Sequence, residues 1–296
     1  MQGVNSLFLF KIYTMKQIIQ TILLFVITST TAQNSLLEFK DKIYTCENKW
    51  VTYPLKERDS VYALGYVYID RDAGFSFHSE KKFKISKEGK FILQPKSSIS
   101  KVITRIQNFD AVCAVIPAEK FKELGITGNP AFMKSIVIAD EAEDLVLRAS
   151  HYNHIRASSM AIPLLEKAQK INPAARGLLY ELIYAYNEKE DYKKVISLLH
   201  IAISKGENNP LFYKELIYAL AKEGQLENAE TTFSNMKKLK EVKYLDDASY
   251  FIMEGYFVKK DAEKFEVWAK ETMAHIETSD SMLLKNMDSM RKELKQ

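Results

Sequence analysis

Residues that usually build reactive centres are scarce. The chain of 296 residues has two cysteines, two tryptophans and five histidines. Two cysteines cannot cage a metal alone, and Cys46 and Cys113 lie too far apart in sequence for a redox Cys-x-x-Cys pair. A disulfide between them and two buried free thiols both stay open, since free cysteine packs as a small hydrophobe. Gly-x-Ser-x-Gly, His-Glu-x-x-His, a phosphate loop and Gly-x-Gly-x-x-Gly are all missing. The sequence therefore offers no catalytic signature and calls for no metal or organic cofactor. His151 and His154 stand one helical turn apart, but no third ligand joins them, so they read as packed or solvated side chains. His78, His200 and His275 stand alone. Asp70-Arg71-Asp72 starts like a calcium loop without the ligands that should follow, and reads as a charged hairpin turn.

An excess of charge of one sign is also lacking. Forty-two basic and 38 acidic side chains leave a net charge of +4. Basic and acidic residues nearly balance on either side of residue 140. Neutralising phosphates takes a basic excess, so nucleic acid is not an expected partner. Long apolar runs are few. The most apolar, residues 18–27, follows Lys16 and leads into Thr28-Ser29-Thr30-Thr31-Ala32-Gln33. A charged start, a short apolar core and a small-residue exit describe a secretory signal peptide over residues 1–33, with Met15 the better start. The core is short for a membrane span. The expectation is a soluble product, periplasmic or extracellular, without membrane insertion after cleavage. An uncleaved leader would instead anchor the chain.

Residues 34–140 show no repeat. A short helix is expected around residues 36–50. Residues 61–69 are rich in β-branched and aromatic side chains and read as a strand. Alternation resumes at residues 75–78. Residues 83–86 and 90–93 flank Lys87-Glu88-Gly89, a second hairpin. Residues 102–106 and 112–116 are further strands, and Pro117 opens a helix expected to reach residue 124. The fold class expected is α+β: a small, mainly antiparallel N-terminal domain followed by an all-α helix-turn-helix solenoid over residues 141–296.

From residue 142 the period becomes helical, and one pentapeptide occurs twice. Glu-Leu-Ile-Tyr-Ala fills residues 181–185 and 215–219, 34 residues apart. A fixed period near 34 marks a helix-turn-helix array. In residues 176–209, Leu179, Leu182, Ile183 and Tyr186 form one apolar face, and Val195, Leu199 and Ala202 form that of the next helix. Residues 210–243 substitute Tyr213, Leu216, Ile217 and Leu220, then Ala229 and Phe233. Residues 142–175 carry Ala161, Leu165 and Ala168, with Pro173 between units. Residues 246–279 form a degenerate unit after a two-residue shift, and residues 281–296 a capping helix.

On these residues the second half resembles the tetratricopeptide repeat family. It departs from the family pattern at Ile183, Ile217, Val195 and Met236, where smaller residues are usual, so the helix pairs should splay slightly. The resemblance implies a concave face lined by the first helix of each pair. Matching residue by residue, that face presents His154, Tyr180, Tyr184, Asn187, Lys214, Tyr218 and Lys222 to a protein or peptide partner. Tyr184 and Tyr218 stand where the family's clamp for acidic chaperone tails needs other residues, so that ligand is not expected. The function expected is that of an exported, non-enzymatic interaction scaffold. One rival is an enzyme with its site among Tyr66, Asp70, Asp72, His78 and Cys113, using the repeats for recruitment. Another is a structural subunit of a cell-envelope assembly.

Overall fold

The fold is described from a computed structural model, over residues 37–54, 61–95, 102–106, 110–136, 141–240, 243–276 and 281–295. The leader expected over residues 1–33 lies outside the described residues. The chain forms an antiparallel sheet followed by helices, an α+β fold with a helical C-terminal region. Close contacts divide it into two units: Met1–Tyr68 with Phe75–Met133, and Ile69–Gly74 with Lys134–Gln296.

Seven strands lie among the described residues, in the first unit save for the β3–β4 hairpin tip Ile69–Gly74: β1 (Asp41–Lys42), β2 (Lys49–Pro54), β3 (Val61–Asp70), β4 (Gly74–Ile85), β5 (Phe91–Leu93), β6 (Val102–Arg105) and β7 (Val112–Val115). Their order is β1-β7-β2-β3-β4-β5. Besides β3, the twelve-residue β4 takes two partners along its length: Ser76–Ser79 pairs with β6, and Phe83–Ile85 with β5. Val61–Asp70 forms a strand as its β-branched and aromatic content predicts, but Leu64, Tyr66 and Tyr68 are buried together with Ala63, Val67 and Ile69. Both faces of this central strand are covered. Gly65 is required there, because a Cβ would overlap the Phe77 ring and the His78 carbonyl.

Two expected helices are absent. Residues 37–50 hold β1, a 3₁₀ turn at Ile43–Cys46 and the start of β2, because Trp50 and Val51 pair across to Tyr66 and Gly65. After Pro117 there is a single 3₁₀ turn, Ala118–Lys120. The chain then curls into non-helical turns closed by Ile126 N–H donating to the Phe121 carbonyl at 2.8 Å.

The second unit contains α1 (Ala142–His154), α2 (Ser158–Ile171), α3 (Leu178–Glu188), α4 (Tyr192–Ser204), α5 (Pro210–Lys222), α6 (Leu226–Met236), α7 (Leu245–Val258), α8 (Ala262–Met273) and α9 (Ser281–Glu293). Four pairs, α1/α2, α3/α4, α5/α6 and α7/α8, are joined by three-residue turns. The middle residue of each turn is left-handed: Arg156 (φ 59), Glu190 (φ 57), Gly224 (φ 71) and Lys260 (φ 59). The next amide reaches back to the last turn of the first helix. Ala157, Asp191, Gln225 and Asp261 donate to Tyr152, Tyr186, Leu220 and Tyr256 carbonyls at 2.9, 2.9, 2.8 and 3.0 Å. This is the Schellman closure, which satisfies carbonyls the helix end leaves open. Steps of 34, 34 and 36 residues between the left-handed positions account for the two-residue shift at the last unit.

Apolar faces fill the interior. Leu182, Ile183, Tyr186, Val195, Leu199, Leu216, Ile217, Leu220, Phe233 and Met236 are buried, as are Ala161, Ala168 and Ala229. Ala202 is only half-buried, so the small residue there is not a tight crossing point. Polar bonds tie successive first helices. Asn153 on α1 donates to the Glu181 carboxylate on α3 at 2.7 Å and to its main-chain carbonyl at 3.0 Å. One period later, Asn187 donates to the Glu215 carboxylate on α5 at 2.7 Å. The glutamate of the repeated pentapeptide is thus the acceptor in both copies. Glu230 on α6 collects three donors through one oxygen: Tyr256 hydroxyl at 2.7 Å, and Lys264 Nζ and Trp268 Nε1 at 3.0 Å. The cap helix α9 buries Met287, and Arg291 binds Glu266 of α8.

Two predictions follow from these contacts. Glycine adopts left-handed backbone without the Cβ clash that an L side chain meets. Glu190→Gly and Lys260→Gly should each raise unfolding stability by about 0.5–1 kcal/mol, whereas Gly224→Ala should lower it by about 1 kcal/mol, in urea titrations. The second concerns pH. Burial pushes the Glu181 carboxyl above its ordinary value, with the Asn153 bond only partly offsetting it. Burial also raises Glu230, but bonds from Tyr256, Lys264 and Trp268 outweigh it and hold the group below its ordinary value. The folded state therefore binds the Glu181 proton more tightly than the unfolded chain, and the Glu230 proton less tightly. Relative to Glu181→Gln, wild-type stability should fall as pH rises above the unfolded carboxylate value of about 4.3. Relative to Glu230→Gln, it should rise above the unfolded value of about 4.3 and be lost as pH drops below it. Urea midpoints at pH 4 and pH 7 should show the two opposite slopes.

Candidate binding groove

The α-helical period places Tyr180, Tyr184 and Asn187 along one stripe of α3, and Leu211, Lys214 and Tyr218 along one stripe of α5. The backbones of α1 and α3, and of α5 and α7, approach closely, while α3 and α5 stand further apart. Between them lies an open cavity of about 410 Å³. Ile183 and Phe212 are buried in its lining, and Phe251 of α7 meets Tyr218 edge-on with ring centres 4.9 Å apart. Five of the seven expected partner-binding residues line it: Tyr180, Tyr184, Asn187, Lys214 and Tyr218. The other two do not. His154 is exposed at the end of α1, and Lys222 sits at the end of α5 with its ammonium 5.5 Å from the Tyr218 ring centre. Sequence reading missed Leu211, Phe212, Glu215 and Phe251. Phe251 was hidden by the two-residue shift of its unit, since it does not fall on the 34-residue grid.

The charged groups that line this groove are paired: Lys214 with Glu215 at 2.9 Å, and Glu188 with Arg156 at 2.9 Å. Outside its lining, Lys222 pairs with Glu254 at 2.8 Å. Burial would lower the Lys222 ammonium, but its bond to Glu254 outweighs that and raises it. Burial and the nearby Glu188 carboxylate raise the Tyr184 phenol, so it remains a neutral hydroxyl. One acceptor is left over. Asn187 Oδ1 is buried and has no hydrogen-bond partner. Its counterpart one period earlier, Asn153 Oδ1, accepts from the Ser158 hydroxyl at 3.2 Å. The residue one period after Ser158 is Tyr192, whose ring turns instead edge-on to Tyr218, 5.8 Å between centres. A serine-to-tyrosine difference between two repeats thus leaves a carbonyl oxygen unpaired beside an aromatic cavity.

In the first unit two of the groups considered for catalysis, Tyr66 and His78, meet the same ring, Phe132, which Tyr66 approaches edge-on with ring centres 6.4 Å apart. Tyr66 donates its hydroxyl to Asn129 at 3.0 Å, and burial raises its phenol. His78 is buried against the Phe132 ring, 4.1 Å between centres. Cys113 lies against Cys46, with sulfurs 3.5 Å apart. A cavity of about 250 Å³ touches Trp50, Lys81, Asn129 and Phe132. Two donors beside it are engaged by the loop that borders it: Trp50 Nε1 by the Gly128 carbonyl at 2.9 Å, and Lys81 Nζ by the Leu124 carbonyl at 3.0 Å. In the second unit, Asp70 closes its own turn by accepting from the amides of Asp72 and Ala73 at 3.0 and 2.9 Å. That is the hairpin turn expected of the Asp-Arg-Asp sequence. His151 Nε2 lies 3.2 Å from the Arg71 carbonyl, and among the described residues no group of three or more His, Cys, Asp or Glu side chains could hold a metal ion.

Comparison with protein-family models and with curated proteins found no match.

The two asparagines should separate in mutagenesis. Asn153 makes three bonds and Asn187 one, with a buried acceptor already unpaired. Asn153→Ala should cost about 2–3 kcal/mol of unfolding stability and Asn187→Ala less than about 1 kcal/mol, measured in urea at pH 7.

Proposed function

We propose that this protein is an exported, non-enzymatic interaction scaffold whose helical unit holds a protein segment in the groove between α3 and α5. The observation that carries this reading is the pairing of an aromatic cavity with one unpaired buried acceptor, Asn187 Oδ1. An extended peptide supplies what both lack: an apolar or aromatic side chain for the space between Tyr184, Tyr218 and Phe251, and a main-chain N–H for Asn187. Tyrosine suits such a surface, since its ring offers a large rigid contact at low entropic cost. The mutual pairing of Lys214, Glu215, Glu188 and Arg156 favours a neutral segment over an acidic tail.

The four helix pairs, their common turn and the repeated pentapeptide support the resemblance to tetratricopeptide repeats, and with it a binding role. The signal-like leader supports export. Near balance of charge argues against nucleic acid as the partner. No helix among the described residues is long and apolar enough to cross a membrane. The missing catalytic signatures favour binding over catalysis.

A photo-crosslinking amino acid at Tyr180, which is 48% exposed at the cavity, tests the groove in the producing cell. It should capture a protein segment, identified by mass spectrometry. Tyr184→Ala with Tyr218→Ala should reduce the yield at least tenfold while helix content is retained. The same probe at Ile201, exposed on α4 outside the cavity, should not capture that segment. Equal capture at both positions, or capture indifferent to the tyrosines, would remove the groove from the proposal.

A further inference from the structure

Cys46 and Cys113 are both fully buried in the first unit. Cys46 ends the 3₁₀ turn Ile43–Cys46, and Cys113 lies in β7 directly across from Asp41 of β1. The Cys113 thiol donates to the Cys46 sulfur at 3.5 Å. Each sulfur also lies near a main-chain carbonyl of β1, Cys46 at 3.7 Å from that of Lys42 and Cys113 at 3.6 Å from that of Asp41. A disulfide has its sulfurs about 2.05 Å apart, so bonding would require each to move by roughly 0.7 Å. The surrounding backbone is already in register. Ile43 N–H donates to the Ala111 carbonyl at 3.1 Å, and Lys42 pairs with Asp110 at 2.8 Å.

We propose that Cys46 and Cys113 are a thiol–disulfide site, which a disulfide-bearing oxidant converts to an intramolecular bond stapling the Ile43–Cys46 turn to β7. The Cys46 thiol loses its proton, and the thiolate attacks one sulfur of the oxidant. A mixed disulfide forms and the first half of the oxidant leaves as a thiolate. Cys113 then loses its proton and attacks the Cys46 sulfur, and the second half leaves as a thiolate. Two protons leave the protein, and two electrons reduce the oxidant's disulfide to two thiols. The order of attack follows from the contacts. The hydrogen bond from Cys113 lowers the Cys46 thiol against the opposing effect of burial, while the same bond and burial raise Cys113. β1 is only two residues long and ends the sheet order, so residues 41–46 are the segment whose local opening would admit the oxidant. Once closed, the bond is shielded from reductants by the same burial. The site does not depend on how the groove is used, nor on where the chain is delivered.

The test uses the full chain, incubated with oxidised glutathione and then denatured without reductant in the presence of a maleimide. The expected result is no maleimide uptake, a mass two hydrogens lighter than the reduced chain, and no glutathione adduct. The oxidised protein should also melt about 5–10 °C higher than the reduced protein, because the bond closes a long loop in the unfolded chain. A Cys46→Ala, Cys113→Ala double variant should show no shift on oxidation. Two maleimide-reactive thiols, a stable glutathione adduct, or a disulfide-linked dimer would each overturn the proposal.

Discussion

The helical unit depends on one backbone constraint, the left-handed residue that joins the two helices of each pair. That residue, with the amide that follows it, closes the first helix and turns the chain back within three residues. A connection this short leaves the second helix no course except alongside the first. The closure is made entirely of main-chain bonds, so the side chain at its centre is free to vary. Arginine, glutamate, glycine and lysine all occupy it. The three residues with a Cβ are held there by the packing of the helices on either side, not by local preference.

Once the turns fix the pairs, each first helix meets the next at a set height. Asn153 then reaches Glu181, and Asn187 reaches Glu215. The same pentapeptide supplies both acceptors, yet the two copies sit in different surroundings. Ser158 completes the first asparagine, and Tyr192 stands one period later beside the second. The wider separation of α3 and α5 opens a space walled by tyrosine and phenylalanine rings, while the neighbouring charges neutralise one another in pairs. An apolar volume and an unpaired oxygen therefore coincide, which is the combination on which the binding proposal rests.

The sheet unit is organised by different means. Aromatic rings pack across the one position in β3 where a side chain is missing, Gly65, and Tyr53 meets Phe77 edge-on there with ring centres 4.9 Å apart. The polar ends of Trp50 and Tyr66 bind the loop that follows β7. Those bonds satisfy groups that would be costly to bury alone, and they let Trp50 and Tyr66 sit in the core. The two thiols meet where β7 passes the Ile43–Cys46 turn.

The period of 34 and the apolar faces of the helices were legible because they are set by local chemistry repeated along the chain. β3, the hairpin at Gly89 and the turn at Asp70 were legible for the same reason. The segment at residues 36–50 was not. Its apolar spacing suits a helix, and only pairing of Trp50 and Val51 with a distant strand makes it extended. The tyrosine stripe of the groove could be read from helical spacing, but Phe251 could not, since it joins from α7. The approach of Cys46 to Cys113 was likewise invisible across the residues that separate them. The sequence by itself determined the two kinds of structure, the repeat and its core residues. Tertiary structure alone decided the spacing of α3 from α5, the unpaired oxygen of Asn187 and the meeting of the two thiols, because each is a distance between segments that no local pattern encodes.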